Sequence, residues 1–292
     1  MTEQHSVSII IPTRDRPGLL PRSVASALAA TGEGDEIIVV DDGSKFSPAE
    51  SLSMFDDPHL RIVKSKGKGA GHARNVGIKA SQGAILMFLD DDDEMLPGYR
   101  NHVLSLVNNV APSPQFGYSS VYRVGCADCV SGQLPEGYFH TSYPFASLLK
   151  GFGMGFWANK AVFENLGFID ETLVTNEDTE FLLRLLASEH IGWYSTFPGV
   201  RLGRADKDGD DLGSLTHNTP ATLRADAYSS ILVRHFELID TLDGASSYFR
   251  NRIVKYLARA GRLRDALIVA DRRPGEVTLA IGEYVSGRMR SG

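Results

Sequence analysis

The run Ala84-Ile85-Leu86-Met87-Phe88-Leu89 is apolar without a break, and four aspartates, Asp90 to Asp93, follow it at once. A strand with one face in water alternates apolar and polar side chains. Six apolar residues in a row therefore demand a sheet covered on both faces. Four carboxylates at the end of such a strand repel one another strongly unless cations are at hand. Hard oxygen donors of this kind suit Mg²⁺ or Mn²⁺, commonly shared with a substrate phosphate. Taken alone, the cluster is also compatible with an acidic, solvated turn.

The preceding residues repeat the pattern. Val7 to Ile11 is a short β-branched strand ended by Pro12, and Glu36 to Val40 is a second, stopped by Asp41-Asp42-Gly43-Ser44. Leu60 to Val63 is a third. Pro17 opens a helix whose apolar face is Leu19, Leu20, Val24, Ala27 and Leu28. Gly67, Gly69 and Gly71 lead into a helix that ends near Gly83, and Pro97 starts another that runs to about Asn109. Such alternation predicts an α/β fold, with a Rossmann-type mixed but mostly parallel sheet flanked by helices. Ligands of these sheets sit beyond the carboxyl ends of the strands. Pro12-Thr13-Arg14, Asp41 to Ser44 and Asp90 to Asp93 should therefore converge at one edge. No Gly-x-Gly-x-x-Gly follows the first strand, which argues against a nicotinamide-dependent dehydrogenase.

Beyond residue 110 the pattern loosens. Residues 116 to 160 suggest hairpin-like strands and a glycine cluster, residues 176 to 188 a helix, and Ile191 to Tyr194 a strand. Arg204 to Gly213 is polar and glycine-rich and reads as a mobile loop, and residues 204 to 216 suit a lid that orders over a bound ligand. From Pro220 helical spacing takes over at Ala227, Tyr228, Ile231, Leu232, His235, Phe236 and Ile239. Further helices are expected near Ser246 to Ala260, Arg262 to Ala270 and Gly275 to Val285. The expected division is one α/β domain over 1–218, in two parts of about 6–110 and about 111–218. A C-terminal helical appendage over 219–292 completes it.

A chain of 292 residues with net charge −6 does not suit a general nucleic-acid binder, although Lys64, Lys66, Lys68, Arg74 and Lys79 form a local basic group. The polar N-terminus leads directly into a strand, unlike a signal peptide, and no apolar run approaches the ~18 residues that span a bilayer. A cytoplasmic protein is expected, with peripheral contact at the inner membrane face left open. Cys126 and Cys129 lack the partners of a zinc site and read as incidental thiols.

Together these segments resemble the family 2 glycosyltransferases, whose nucleotide-sugar-binding fold is called GT-A. Ser8 to Arg14 looks like the family's opening strand, and Ile37 to Ser44 resembles its second. Gly71-His72-Ala73-Arg74-Asn75-Val76-Gly77-Ile78 matches an Ala-Arg-Asn-x-Gly signature. Phe88 to Asp93 resembles the Asp-x-Asp metal motif. Gly167-Phe168-Ile169-Asp170-Glu171, with Glu177, Asp178 and Arg184, completes the series. The resemblance covers roughly residues 6 to 218.

It implies a nucleotide-sugar donor and a glycan or lipid-linked acceptor. Pro12, Thr13 and Arg14 would line the nucleotide pocket, and Asp42 would accept from the base, unless it is an Asx-turn residue beside Gly43. Asp90 and Asp92, spaced i and i+2 at a strand end, point to one side and would share the metal and ribose. Asp93 would bind or orient, and Asp91 would point away and matter least. Arg74 would either reach phosphate or pair with the aspartates. Asp15 is expected to cap the helix after Pro17. The family position makes Asp178 the general base, although Glu177 and Asp178 also suit a helix N-terminus, with Thr175 or Asn176 as cap. His217 is a candidate third metal ligand, as in some relatives, or a solvated loop histidine. Glu177 and Trp157 are assigned to the acceptor site, although Trp157 equally suits a core.

The expectation is a metal-dependent, inverting transferase that uses a nucleotide-diphosphate sugar, UDP-linked by preference, in surface polysaccharide or lipopolysaccharide synthesis. Association of copies through the C-terminal helices is compatible with this reading. The alternatives are a degenerate module that only binds nucleotide sugar or glycan, and a sugar-phosphate nucleotidylyltransferase. Pro12 to Pro17 lacks the glycine-rich loop that the latter needs.

Overall fold

The apolar runs pair into one sheet in the computed structural model, which describes residues 5–123, 134–203 and 219–271. The chain divides into two compact units. The first takes Met1–Phe139, Lys150–Glu171 and Ser188–Leu212; the second takes His140–Leu149, Thr172–Ala187 and Gly213–Gly292.

The first unit holds the strands β1 (Val7–Thr13), β2 (Glu36–Asp41), β3 (Leu60–Lys64), β4 (Ile85–Phe88), β5 (Glu94–Met95), β6 (Phe116–Arg123), β7 (Gly137–Tyr138), β8 (Trp157–Asn159) and β9 (Gly192–Leu202). Their order across the sheet is β3-β2-β1-β4-β8-β6-β9-β5, and β7 pairs with β9. The first four run parallel, with Ile9 beside Ile37 and Met87. β8 is antiparallel to both β4 and β6, and β6 returns to parallel against β9. The sheet is mixed and mostly parallel, as expected. The strand read at Ile191 to Tyr194 is longer than its apolar part, running to Leu202 through the bulged pairing of Ser119 and Ser120.

Helices α1 (Leu20–Leu28), α2 (Pro48–Ser51), α3 (Ala70–Ala80) and α4 (Tyr99–Asn109) follow the strands. Leu20 and Val24 of α1 and Tyr99 and Val103 of α4 cluster with Ile9, Ile11, Ile37, Val39 and Met87. The opposite sheet face takes α3, where Gly77 is essential: a Cβ there would collide with Ile10 and press on Val40. Each Ile or Val so buried contributes about 1.5–3 kcal/mol relative to exposure. This is why the runs had to be apolar on both sides.

Asp15 does not cap α1. Its φ is 53°, and the N-cap position is Leu19, with no side-chain cap. Asp15 instead accepts from Lys45 N at 2.6 Å and gives its own N–H to Ser44 Oγ at 3.0 Å, tying the loop after β1 to the loop after β2.

The second unit is helical. Its segments are Phe145–Leu149, Glu177–Leu186, Ala221–Arg234, Phe236–Thr241, Ala245–Arg259 and Leu263–Asp271. Phe145 is fully buried and meets Phe249 at 5.6 Å and Tyr248 at 5.4 Å between ring centres. The expected helix at Gly275 to Val285 lies outside the described residues, as do Cys126 and Cys129.

Candidate active site

Parallel register aligns the ends of the strands: Thr13 stands beside Asp41, and Ile10 beside Phe88. The carboxyl ends of β1, β2 and β4 therefore open on one edge, and backbone bonds hold them there. Asp42 N donates to Thr13 O at 2.9 Å, and Leu89 N to Ile10 O at 3.1 Å. Asp41 braces the loop after β2: its Oδ1 accepts from Ser44 N, three residues on, at 2.8 Å. Asp42 is buried, and its carboxylate accepts from Ser65 Oγ and, at 2.8 Å, from Gly69 N. It thus fixes the glycine-containing entry to α3.

The four aspartates leave β4 in a tight turn, closed by Asp93 N donating to Asp90 O at 3.1 Å. The turn sorts the carboxylates. Asp90, Asp92 and Asp93 bring one oxygen each within 4.8 Å of the others. Asp91 turns the other way and is buried, accepting from Thr13 Oγ1 at 2.7 Å and Arg16 Nη1 at 2.9 Å. The same Arg16 nitrogen reaches Asp92 Oδ2 at 2.9 Å. Arg74 Nη2 donates to Asp90 Oδ1 at 2.9 Å, so α3 supplies a second cation to the turn.

Burial and the Asp90 charge push the Asp93 carboxyl up to about 8. Burial likewise pushes Asp91 up to about 6, against the opposing pull of Arg16 and the Thr13 hydrogen bond. The donor set is all oxygen, which fits a hard divalent cation such as Mg²⁺ or Mn²⁺. Asp90, Asp92 and Asp93 are the residues that would hold it.

Of the other candidates in this unit, Thr13 faces Asp91, Pro12 is half-buried in β1, and Arg14 is exposed. Trp157 corrects the acceptor-site assignment. It is 1% exposed, pairs with Met87 and Gly117, and packs so tightly that a Cβ on Gly117 would strike its ring. It offers no face to a sugar. Glu177 and Asp178 belong to the helical unit, in the first turn of Glu177–Leu186. Asp178 is exposed, and its Oδ1 accepts from Thr179 N at 2.6 Å. Asn176 holds the N-cap position, but its side chain donates to the Tyr228 hydroxyl at 3.0 Å and makes no cap. His217 lies outside the described residues, as does the expected lid.

Three contributors were not singled out from the sequence. Arg16 neutralises two aspartates at once. Gly203 donates its N–H to Asp93 Oδ1 at 2.9 Å, and a Cβ there would run into the Asp92 carbonyl. Asn75, inside the Ala-Arg-Asn-x-Gly signature, is buried and clamps the Gly167 to Glu171 segment. It donates to Ile169 O at 2.8 Å and Glu171 Oε1 at 2.9 Å, and accepts from Ile169 N at 3.0 Å. Only a charge count around the acidic turn would have drawn attention to Arg16.

The family described as "Glycosyl transferase family 2" matches residues 8–111. That span runs from β1 through the acidic turn to the end of α4. A protein of Haemophilus influenzae named an uncharacterized glycosyltransferase is 29% identical over 192 residues, 62% of this chain and 62% of that protein. The succinoglycan biosynthesis protein ExoO of Rhizobium meliloti is 33% identical over 92 residues, 31% of this chain and 26% of its own. The chain thus spans less than two thirds of these relatives. The crystal structure of S. aureus TarS 1–349 in complex with UDP-GlcNAc superposes with a TM-score of 0.65 at 12% identity, covering 97% of this chain and 92% of that one. Its fold is the same GT-A arrangement of sheet and helices. The strand ends and the acidic turn thus lie inside the span that matches glycosyl transferase family 2.

Proposed function

We propose that the chain transfers a sugar, with inversion, from a nucleotide-diphosphate sugar to a hydroxyl of a glycan or glycolipid acceptor, in a metal-dependent reaction. The observation that carries this reading is the convergence of Asp90, Asp92 and Asp93 at the carboxyl edge of a parallel sheet. A divalent cation bound there neutralises the charge that grows on the leaving diphosphate. Arg74 adds a guanidinium at the same turn. Asp42 already accepts two hydrogen bonds, but each carboxylate oxygen has a second lone pair, so it can also accept from a base N–H. Asp178 is the proposed general base: its motif context and exposure suit a carboxylate that removes the acceptor proton.

TarS is described in complex with UDP and with UDP-GlcNAc, which favours a UDP-sugar donor here. The name of ExoO, a succinoglycan biosynthesis protein, favours a part in polysaccharide biosynthesis. No helix among the described residues is long and apolar enough to cross a membrane.

Calorimetric titration of UDP, GDP, CDP and TDP, each with Mn²⁺ and then with excess chelator, tests the donor site. UDP is expected to bind selectively and only with metal, and Asp92→Ala should abolish that binding. Metal-independent binding would remove the metal from the proposal. The competing reading, a binding module without catalysis, predicts no donor hydrolysis at all. Transfer chemistry predicts hydrolysis that Asp178→Asn suppresses by about 10²–10⁴-fold while nucleotide affinity is kept.

A further inference from the structure

The helix Ala245–Arg259 carries Arg250, Arg252, Lys255 and Arg259 and no carboxylate, in a chain whose net charge is −6. Arg252, Lys255 and Arg259 follow one another at i,i+3 and i,i+4, where like charges face each other and destabilise a helix. Arg224 of the helix Ala221–Arg234 joins them. Lys255 Nζ, Arg224 Cζ and Arg259 Cζ lie 5.5, 5.2 and 5.9 Å from the centre of the Tyr256 ring, and Arg252 Cζ lies 5.1 Å from that of Tyr248. Arg224 Nη1 donates to the Tyr256 hydroxyl at 2.9 Å, whereas its Nη2 is buried and finds no acceptor. Among the described residues, none of Arg224, Arg252, Lys255 and Arg259 forms an ion pair with a carboxylate. Burial raises the Tyr256 hydroxyl, yet the Arg224 hydrogen bond and the surrounding cations outweigh it and hold the group below its ordinary value. The cluster is a site of unneutralised positive potential.

One turn beyond Arg259 begins the helix Leu263–Asp271. It buries Ala266 and Val269 and turns Leu263, Leu267 and Ile268 outward, with 62, 69 and 47% exposure. An arc of large apolar side chains in water next to uncompensated cations is the composition of an interfacial helix.

We propose that this cationic and apolar surface of the helical unit docks on the anionic phospholipid headgroups of a membrane face. Lys255, Arg259 and Arg264 meet lipid phosphates, and Leu263, Leu267 and Ile268 enter the boundary between headgroups and acyl chains. A soluble polyanion would satisfy the cations but leave the apolar arc in water. A second copy of the chain would cover the arc but bring a cluster of the same sign against it. The proposal does not depend on the donor chemistry.

The test is co-sedimentation of the full chain with vesicles of phosphatidylcholine alone, or with about one part in three of phosphatidylglycerol, at low and high salt. Binding is expected only to the anionic vesicles and should weaken with salt. Lys255→Gln with Arg259→Gln should lower the partition coefficient about 25-fold, about fivefold per charge removed. Leu267→Ser should lower it about tenfold at either salt concentration. Equal binding to both vesicle types, or variants that bind like the parent, would overturn the proposal. So would release by inorganic phosphate at matched ionic strength, which would mark a soluble-phosphate site. A Leu267→Ser variant that changes only the sedimentation coefficient would assign the arc to self-association instead.

Discussion

Arg16 occupies the position a metal ion's charge would otherwise have to serve alone. One guanidinium nitrogen stands 2.9 Å from both Asp91 and Asp92, and Asp91 is buried where no water can replace it. Removing the cation leaves an uncompensated buried carboxylate, so Arg16→Gln should cost about 3 kcal/mol, read as a lower urea midpoint at unchanged m-value. The same residue repels any divalent cation held by Asp92. Provided the variant folds, its Mn²⁺ affinity should rise by at least about fivefold, the scale of two unit charges ~4 Å apart at the dielectric of bulk water. A fall in affinity would instead make Arg16 a residue that positions Asp92. Asp90, Asp92 and Asp93 stand together and Asp91 apart because the turn after β4 sorts them, and strand alternation would have put Asp93 with Asp91. The local pattern gave no hint of Arg16, whose partners lie 75 and 76 positions away in the chain.

Elements were legible to the degree that their cause was local. β1, β2 and β4 are apolar runs that appear within a residue or two of where the pattern puts them, although β1 runs on through Pro12 to Thr13 because both residues still pair with β2. β8 was not legible: three residues, Trp157–Asn159, are made a strand only by pairing with β4 and β6, far away in sequence. The helix Glu177–Leu186 illustrates both cases. Its spacing announces the helix, but not that Glu180 on its inner face is buried beside Arg184 and beside His235 at 3.0 Å. Burial raises the Glu180 carboxyl, yet the His235 hydrogen bond and the Arg184 charge outweigh it and hold the group below its ordinary 4.5. The unfolded chain therefore takes up this proton first as pH falls. The stabilisation is whole above about pH 4.5 and is lost as the pH drops through the lower native value. Glu180→Gln should cost about 3 kcal/mol at neutral pH, and the gap to the parent should close as the pH falls below the ordinary carboxylate range. Urea midpoints across that range measure it, and a gap that stays constant would refute the assignment.

At the scale of the molecule, the two units interleave along the chain, and this limits what truncation can mean. Residues 140–149 and 172–187 belong to the helical unit although they precede residue 219, where composition suggests a boundary. Hydrophobic periodicity reveals faces but not which distant face covers which, so that grouping could not be read from the sequence. Cutting after residue 219 would strip Phe145 of Phe249 and Tyr248, Asn176 of the Tyr228 hydroxyl, and buried Glu180 of His235. A separable appendage would leave the amides of residues 172–187 as protected from hydrogen exchange as in the full chain. The contacts argue the reverse: Glu180 would keep its burial penalty without its histidine, and Phe145 would present its ring to water, a loss of about 1.5–3 kcal/mol. Protection in 140–149 and 172–187 should therefore collapse in the truncated chain. Asp178 and the Glu177–Leu186 helix would lose order with it, and any activity that depends on that carboxylate would go too. Retained protection there would show that these segments fold without the C-terminal helices.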